Sequence, residues 1–140
     1  MSARRRVAAA ALAAAAAAVA LGSFERVEVA GPSMLPTLAP GDRLLVRRHR
    51  LGARRPQPGA LVVVRDPRAP QRRTVKRLVA VTEAGAVVLG DNPAASTDSR
   101  HWGPVPWSLV TGTVVYRYAP AERSGRLGTG EELKPSAASR

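Results

Sequence analysis

The stretch Thr74-Val75-Lys76-Arg77-Leu78-Val79-Ala80-Val81-Thr82-Glu83-Ala84-Gly85-Ala86-Val87-Val88-Leu89-Gly90 sets β-branched residues on a period of two, then a Glu-Ala-Gly reversal, then a second apolar run. That pattern reads as a β-hairpin, with strands at 74–82 and 86–90 and a turn at 83–85. Working outward, runs at 25–30, 43–47, 60–65 and 113–118 have the same short period. Turn signals separate them: Gly31-Pro32, Pro40-Gly41-Asp42, Pro56-Gln57-Pro58-Gly59, Asp66-Pro67 and Gly90-Asp91-Asn92-Pro93. No segment within 23–120 carries a helical period, so the expected class is all-β, a small antiparallel fold behind one N-terminal apolar helix.

The chain has 140 residues, one domain's length, with 45% hydrophobic but only 4% aromatic residues, which favours a compact Val- and Leu-rich core. The absence of cysteine excludes disulfides, thiolate-bound zinc, iron–sulfur clusters and thiol catalysis. His49 and His101 have no carboxylates spaced to complete a metal site, so no metal or other cofactor is expected. Of the 22 basic residues only Lys76 and Lys134 are lysines. A lysine amid arginines is a departure from local usage, and unlike Arg it can lose its proton when desolvated.

Residues 4–6 are all Arg, and an uncharged run of 16 follows at 7–22, eleven of them Ala. At about 24 Å the run falls short of a ~30 Å hydrocarbon core. Three readings stay open: a retained membrane anchor, a removable signal peptide ending near Ala18-Val19-Ala20, or an Ala-rich leader that is neither. The organisation is thus an anchor or leader at 1–23, a folded domain at 24–120, and a tail at 121–140 whose Ser, Gly and charge predict disorder. Residues 23–120 hold 15 basic and 7 acidic residues, a net charge of +8 (15 − 7).

Three stretches carry candidate chemistry. In Gly31-Pro32-Ser33-Met34-Leu35-Pro36-Thr37-Leu38 a hydroxyl lies between two backbone-restricting prolines. Alone, it reads most simply as a turn whose serine bonds its own backbone. Met34 and Leu35 suit a substrate groove, a membrane surface or a core plug. On strand 74–82, alternation puts Lys76 on one face with Leu78 and Ala80, either as an edge gatekeeper or as a desolvated amine. With no Ser-His-Asp order in the chain, Lys76 is the remaining base for a serine. An ordinary lysine is neutral only about one part in 10³ at pH 7.4, a handicap apolar neighbours reduce. The third stretch, Gly90 to Pro106, is polar and dense in short hydroxyl and carboxylate side chains, as a well-bonded loop would be. Trp102 within it and Trp107 just after it pack in the core or lie at a membrane interface.

Gly-Pro-Ser-Met-Leu-Pro-Thr-Leu, Pro-Gly-Asp, Val-Lys-Arg-Leu and Gly-Asp-Asn-(x)3-Ser-(x)-Asp-Ser-Arg-(x)-Trp-Gly-(x)-Val-Pro, in that order, resemble the type I signal peptidase (leader peptidase) family over about 27–118. The resemblance implies a signal-peptidase-like β-fold and a Ser-Lys dyad that removes N-terminal signal or leader peptides, usually after Ala-x-Ala. Ser33 matches the nucleophile and, through its backbone N–H, an oxyanion donor. Lys76 matches the general base and Ser96 the hydroxyl that orients it. Asp98 and Arg100 match a structural ion pair, and Asp91 lies in the supporting turn. Met34 and Leu35 would line the substrate groove. Gly31 stands where some members carry a serine that adds a second oxyanion donor.

Only 13 residues separate Lys76 from Gly90, leaving room for a hairpin and no large insertion. This short, Arg-rich form looks most like the nickel-type superoxide dismutase maturation proteases. The implied partners are a precursor protein and a membrane, not nucleic acid. The implied place is the cell membrane, single-pass with the domain extracytoplasmic, or else the cytoplasm. Two other classes compete. A repressor-type self-cleaving peptidase shares the first motifs, although the 30 residues before Gly31 are too few for a DNA-binding domain. A non-enzymatic basic β-domain binding nucleic acid or anionic lipid fits the charge, although platforms for base stacking are few.

Overall fold

A computed structural model describes residues 3–50, 52 and 54–127. The Ala-rich segment is a helix, α1 (Ala3–Gly22), whose described side chains are all exposed. Alanine holds helical geometry at the least entropic cost, so the segment needs no packing to choose it. No helix among the described residues is long and apolar enough to cross a membrane. The C-terminal end of α1 is fastened to the domain. Ser23 Oγ donates to the Val19 carbonyl (2.9 Å), and Arg50 Nη2 donates to that carbonyl (3.3 Å) and to Ser23 Oγ (2.5 Å). A cation thus meets the negative end of the helix dipole.

Seven strands follow in a single sheet: β1 (Phe24–Glu28), β2 (Arg43–Arg48), β3 (Leu61–Asp66), β4 (Ala69–Thr82), β5 (Gly85–Leu89), β6 (Val110–Ala119) and β7 (Gly125–Arg126). Their order is β1-β2-β6-β3-β4-β5, with β7 on β6 and every pair antiparallel. All six expected strands are present, and the class is the expected one. The deciding hairpin closes with Thr82 opposite Gly85. Gly85 has φ +138°, and a Cβ there would lie 2.1 Å from the Val105 carbonyl oxygen, so the turn admits no side chain.

Two expectations are corrected. The tail is not disordered from Ala121 onward: residues Ala121–Arg123 form a 3-10 turn, β7 pairs with β6, and Leu127 packs against the core. The remainder of that segment, 128–140, lies outside the described residues. The loop after Gly90 also holds one helical turn, α2 (Ser99–Trp102), too short to show a period.

The sheet is covered on both faces. Leu61 and Val63 of β3 join one cluster with Met34, Leu38, Val46 and Val75; Val62 and Val64 join a second with Leu78, Val88, Val105 and Val110. The unbroken Leu-Val-Val-Val run is therefore a strand buried on both sides, where polar alternation would be penalised. The sheet curls until β1 approaches the first half of β4, where Glu25 bridges to both Arg48 and Arg73.

The Pro-Gly-Asp turn explains the ordered end of the chain. Asp42 is fully buried and accepts from the Ala39 N–H (2.9 Å), Arg117 Nη1 (3.1 Å) and Arg123 Nη2. Arg117 Nη1 also donates to the Thr37 carbonyl (2.9 Å), tying the loop after β1 to β6. A long-range pairing of this kind leaves no trace in local composition. We predict that Asp42→Ala, which strands the largely buried Arg117 charge, costs about 3–5 kcal/mol in urea denaturation. Arg123→Gln, at a guanidinium 40% exposed, costs about 1 kcal/mol or less.

Candidate active site

The loop joining β1 to β2 presents Ser33. Met34 (1% exposed) and Leu38 (0%) anchor it in the first cluster, and Leu38 N–H donates to the Met34 carbonyl (2.9 Å), leaving Ser33 half-buried at the surface of the turn. Met34 is thus a core plug, and it also forms part of the wall of a small cavity beside Ser33. Leu35 is half-buried.

Lys76 lies opposite Val62 on β4 and is 2% exposed. Val62 and Leu78, which share its side of the sheet, belong to the second cluster, so the amine sits on apolar ground. Its hydrogen bond runs from Nζ to Ser96 Oγ (3.1 Å), and Ser96 in turn donates to Asp98 Oδ2 (2.6 Å). Because the Ser96 proton is committed to the carboxylate, its oxygen can only accept from the lysine. One amine N–H is thereby aimed, and a neutral amine keeps its lone pair for another proton.

Asp98 is fully buried and saturated with donors. Arg100 grips it through Nε to Oδ1 (2.9 Å) and Nη2 to Oδ2 (2.6 Å), and the backbone N–H groups of Gly90 (2.8 Å) and Arg100 (3.1 Å) add to this. Burial would raise its pKa, but the Arg100 fork and the other donors outweigh burial and hold it far below the carboxylate range. Lys76 shifts the other way from a surface lysine: burial lowers its pKa from 10.5, the Asp98 charge opposes the shift, and Arg100 reinforces it.

A second network joins the loop of Ser33 to the strand of Lys76. Asp91 accepts a fork from Arg77 (Nε 2.9 Å, Nη2 2.7 Å) and the Thr37 hydroxyl (2.6 Å), while Arg77 Nη1 reaches the Gly59 carbonyl (2.8 Å). Burial raises the Asp91 pKa and the Arg77 and Thr37 bonds more than reverse it. Asn92 adds two bonds to the serine loop, backbone N–H to Ser33 O (2.9 Å) and Nδ2 to Pro32 O (3.0 Å).

Ser33 and Lys76 line one cavity of about 380 Å³, with Arg72, Thr97 and Trp102 on its walls, and no hydrogen bond joins their side chains. Beside it a smaller cavity of about 110 Å³ lies between Val27–Gly31 and Arg73–Val75, again with Ser33 on its wall. A larger hollow of about 620 Å³ between β2, β6 and β7 holds no amine, imidazole or carboxylate to act as a base. Trp102 packs against the second cluster and Trp107 does likewise; each leaves its Nε1–H buried without an acceptor.

The structure thus brings together Ser33, Lys76, Ser96, Asp98 and Arg100, with Asp91 behind them. Sequence reading missed Thr37, Arg77 and Gly90 as site residues. Nothing local marks Arg77, whose flanking residues only the fold shows to be buried. Gly90 is a matter of space: a Cβ there would lie 2.1 Å from Ser96 Oγ and 2.7 Å from the Ser33 carbonyl oxygen.

The family model described as "Signal peptidase, peptidase S26" matches residues 3–85 and 81–119. The chain is 41% identical over 124 residues to the mitochondrial ATP-independent inner membrane protease subunit 1a of Arabidopsis thaliana, covering 71% of this chain and 73% of that one. It is 30% identical to the human mitochondrial inner membrane protease subunit 1 (72% and 73% covered). It is 28% identical to the probable signal peptidase I-1 of Synechocystis (72% and 74%).

Gly90→Ala tests the crowding. The methyl group must push Ser96 or the Ser33 backbone aside, so the expected cost is about 1–3 kcal/mol in thermal unfolding, with the Ser96 and Ser33 amide resonances moving. A variant with native stability and unmoved resonances would show that the contact is slack.

Proposed function

The chain belongs to the signal peptidase (peptidase S26) family, and on that premise we propose that it is a serine endopeptidase in which Ser33 and Lys76 act as nucleophile and base. Its substrate is a precursor protein from which it removes an N-terminal signal or leader peptide. The observation that carries the reading is the buried Lys76 amine, aimed by Ser96, in the cavity that Ser33 lines.

Neutral Lys76 takes the Ser33 hydroxyl proton as Oγ attacks the scissile carbonyl. The oxyanion is met by the Ser33 N–H, which donates to no carbonyl among the described residues. The Lys76 ammonium then protonates the leaving amine, and the amine so restored draws a proton from water that hydrolyses the acyl-enzyme. Gly31 has no hydroxyl to add a second donor. The small cavity beside Ser33 suits a short side chain before the cut. Arg100 and Asp98 are positioning residues: they act through Ser96 and through their charges on the amine.

The protein works at a membrane. The curated relatives named above include inner membrane proteases, and α1, led by Arg4 to Arg6, is proposed as the attachment that leaves the domain on the extracytoplasmic side. Recovery of native activity wholly in a soluble cell fraction would place it in the cytoplasm instead.

The test is mass spectrometry of two peptides incubated with the full chain: an exported precursor with Ala-x-Ala, and the leader of a nickel superoxide dismutase. Cleavage is expected to vanish in Ser33→Ala, and the peptide cut decides between general export and dedicated maturation. Cleavage of neither by a folded chain would sink the reading. Lys76→Arg should fold yet lose about 10²- to 10⁴-fold in rate, since Arg cannot shed its proton.

The pH dependence follows from the sign of the lysine shift. Activity should rise with pH through an apparent pKa below 10.5, because only the neutral amine is a base. Arg100→Gln removes a charge that lowers this pKa and should move the limb to higher pH; an unmoved limb would show that another group titrates.

A further inference from the structure

The arginines are not spread evenly over the acidic residues. Every salt bridge among the described residues, from Glu25 with Arg48 and Arg73 to Asp42 with Arg117 and Arg123, lies away from the loop after β2. There Arg50, Arg54 and Arg55 line one cavity of about 440 Å³ together with His49 and Trp107, and no carboxylate among the described residues lines it. The volume is that of an ordinary small-molecule site, about 300–1,000 Å³.

Three features make it a built site. The Arg55 guanidinium lies 4.5 Å from the Trp107 ring centroid, which holds its plane and leaves its N–H edge free for a bidentate acceptor. Arg50 is fixed by the Val19 carbonyl and Ser23 Oγ. His49 sits between the Val110 carbonyl (Nδ1, 3.2 Å) and Thr113 Oγ1 (Nε2, 2.7 Å), so both ring nitrogens are engaged and the imidazole serves as wall. Arg50, Arg54 and Arg55 are exposed and none pairs with a carboxylate among the described residues, so a phosphate bound among them would gain charge-assisted hydrogen bonds that the fold does not already use.

The source of the phosphate follows from what the cavity lies beside. Arg50 joins it to the C-terminal end of α1, an Ala-rich helix whose described side chains are all exposed, and the Trp107 ring, packed on the core from behind, forms part of the cavity wall. We propose that Arg50, Arg54, Arg55 and Trp107 form a binding site for the phosphate headgroup of an anionic phospholipid, seating the domain on the membrane at the root of α1. The site stands apart from Ser33 and Lys76 and does not depend on the peptidase reading.

Co-sedimentation of the full chain with phosphatidylcholine vesicles, with and without phosphatidylglycerol, tests it. Binding should require phosphatidylglycerol and fall roughly fivefold for each arginine removed, so about 25-fold in Arg54→Gln/Arg55→Gln. A charge-matched control, Arg26→Gln/Arg43→Gln, should retain most of the binding, its arginines being elsewhere on β1 and β2. In a Trp102→Phe background Trp107 is the only tryptophan, and phosphatidylglycerol vesicles should shift its emission. Soluble leader peptide should still be cut by the Arg54/Arg55 variant, which separates failure of this site from failure of the active site. Equal loss in the control would reduce the effect to net charge and overturn the site. So would an unmoved Trp107 emission, or an Arg54/Arg55-dependent response to inorganic phosphate or duplex DNA with none to vesicles.

Discussion

A lysine amine taken out of water must lose its charge or find an anion, and much of the second half of this chain is arranged around that constraint at Lys76. The anion is Asp98, but it does not touch the amine directly; Ser96 stands between them and converts a charge pair into an aimed hydrogen bond. A direct ion pair would stabilise the ammonium form, the wrong one for a base. Giving Asp98 to Arg100 and two backbone N–H groups keeps the carboxylate ionised without surrendering the lysine to it. The net effect on Lys76 is a lowered pKa, dominated by burial.

The same logic positions the hydroxyl. Ser33 lies on a loop, where precision has to come from elsewhere, and here it comes from both sides. Met34 and Leu38 sink into the core below. Asn92 and the Asp91–Thr37 bond hold the loop against the turn that follows β5. Arg77, the neighbour of Lys76 on β4, completes that turn by forking onto Asp91. Three stretches far apart in sequence are thus joined by hydrogen-bonded carboxylates, and the absence of a side chain at Gly90 lets them close to contact distance.

Much of this is legible in the amino-acid sequence alone. Six strands follow from period-two runs between turn residues, and three ordered motifs, through the family they resemble, point to Ser33, Lys76, Ser96, Asp98 and Arg100. The illegible parts share a physical cause: they depend on partners distant in sequence. By composition β7 belongs to a disordered tail, because Asp42, which holds Arg123, is far away along the chain. Met34 suits a groove as well as a core, because an apolar residue after a turn reads alike whether it faces ligand or packed side chains. Arg77 resembles a solvated strand residue, because alternation alone cannot show that both faces of the sheet are covered.

The use of arginine for nearly every cation follows from the same chemistry. An arginine stays protonated wherever it is placed, so it can bridge buried carboxylates, cap α1 and crowd a cavity without becoming a proton acceptor. In such a chain Lys76 is, among the described residues, the one cationic side chain of the Lys/Arg type able to become neutral, and the fold lowers the cost of that change. The high net charge and the buried lysine are therefore separate signals. The first concerns surfaces and what they meet, and only the second, read with its hydrogen bond to Ser96, concerns the chemistry of the site.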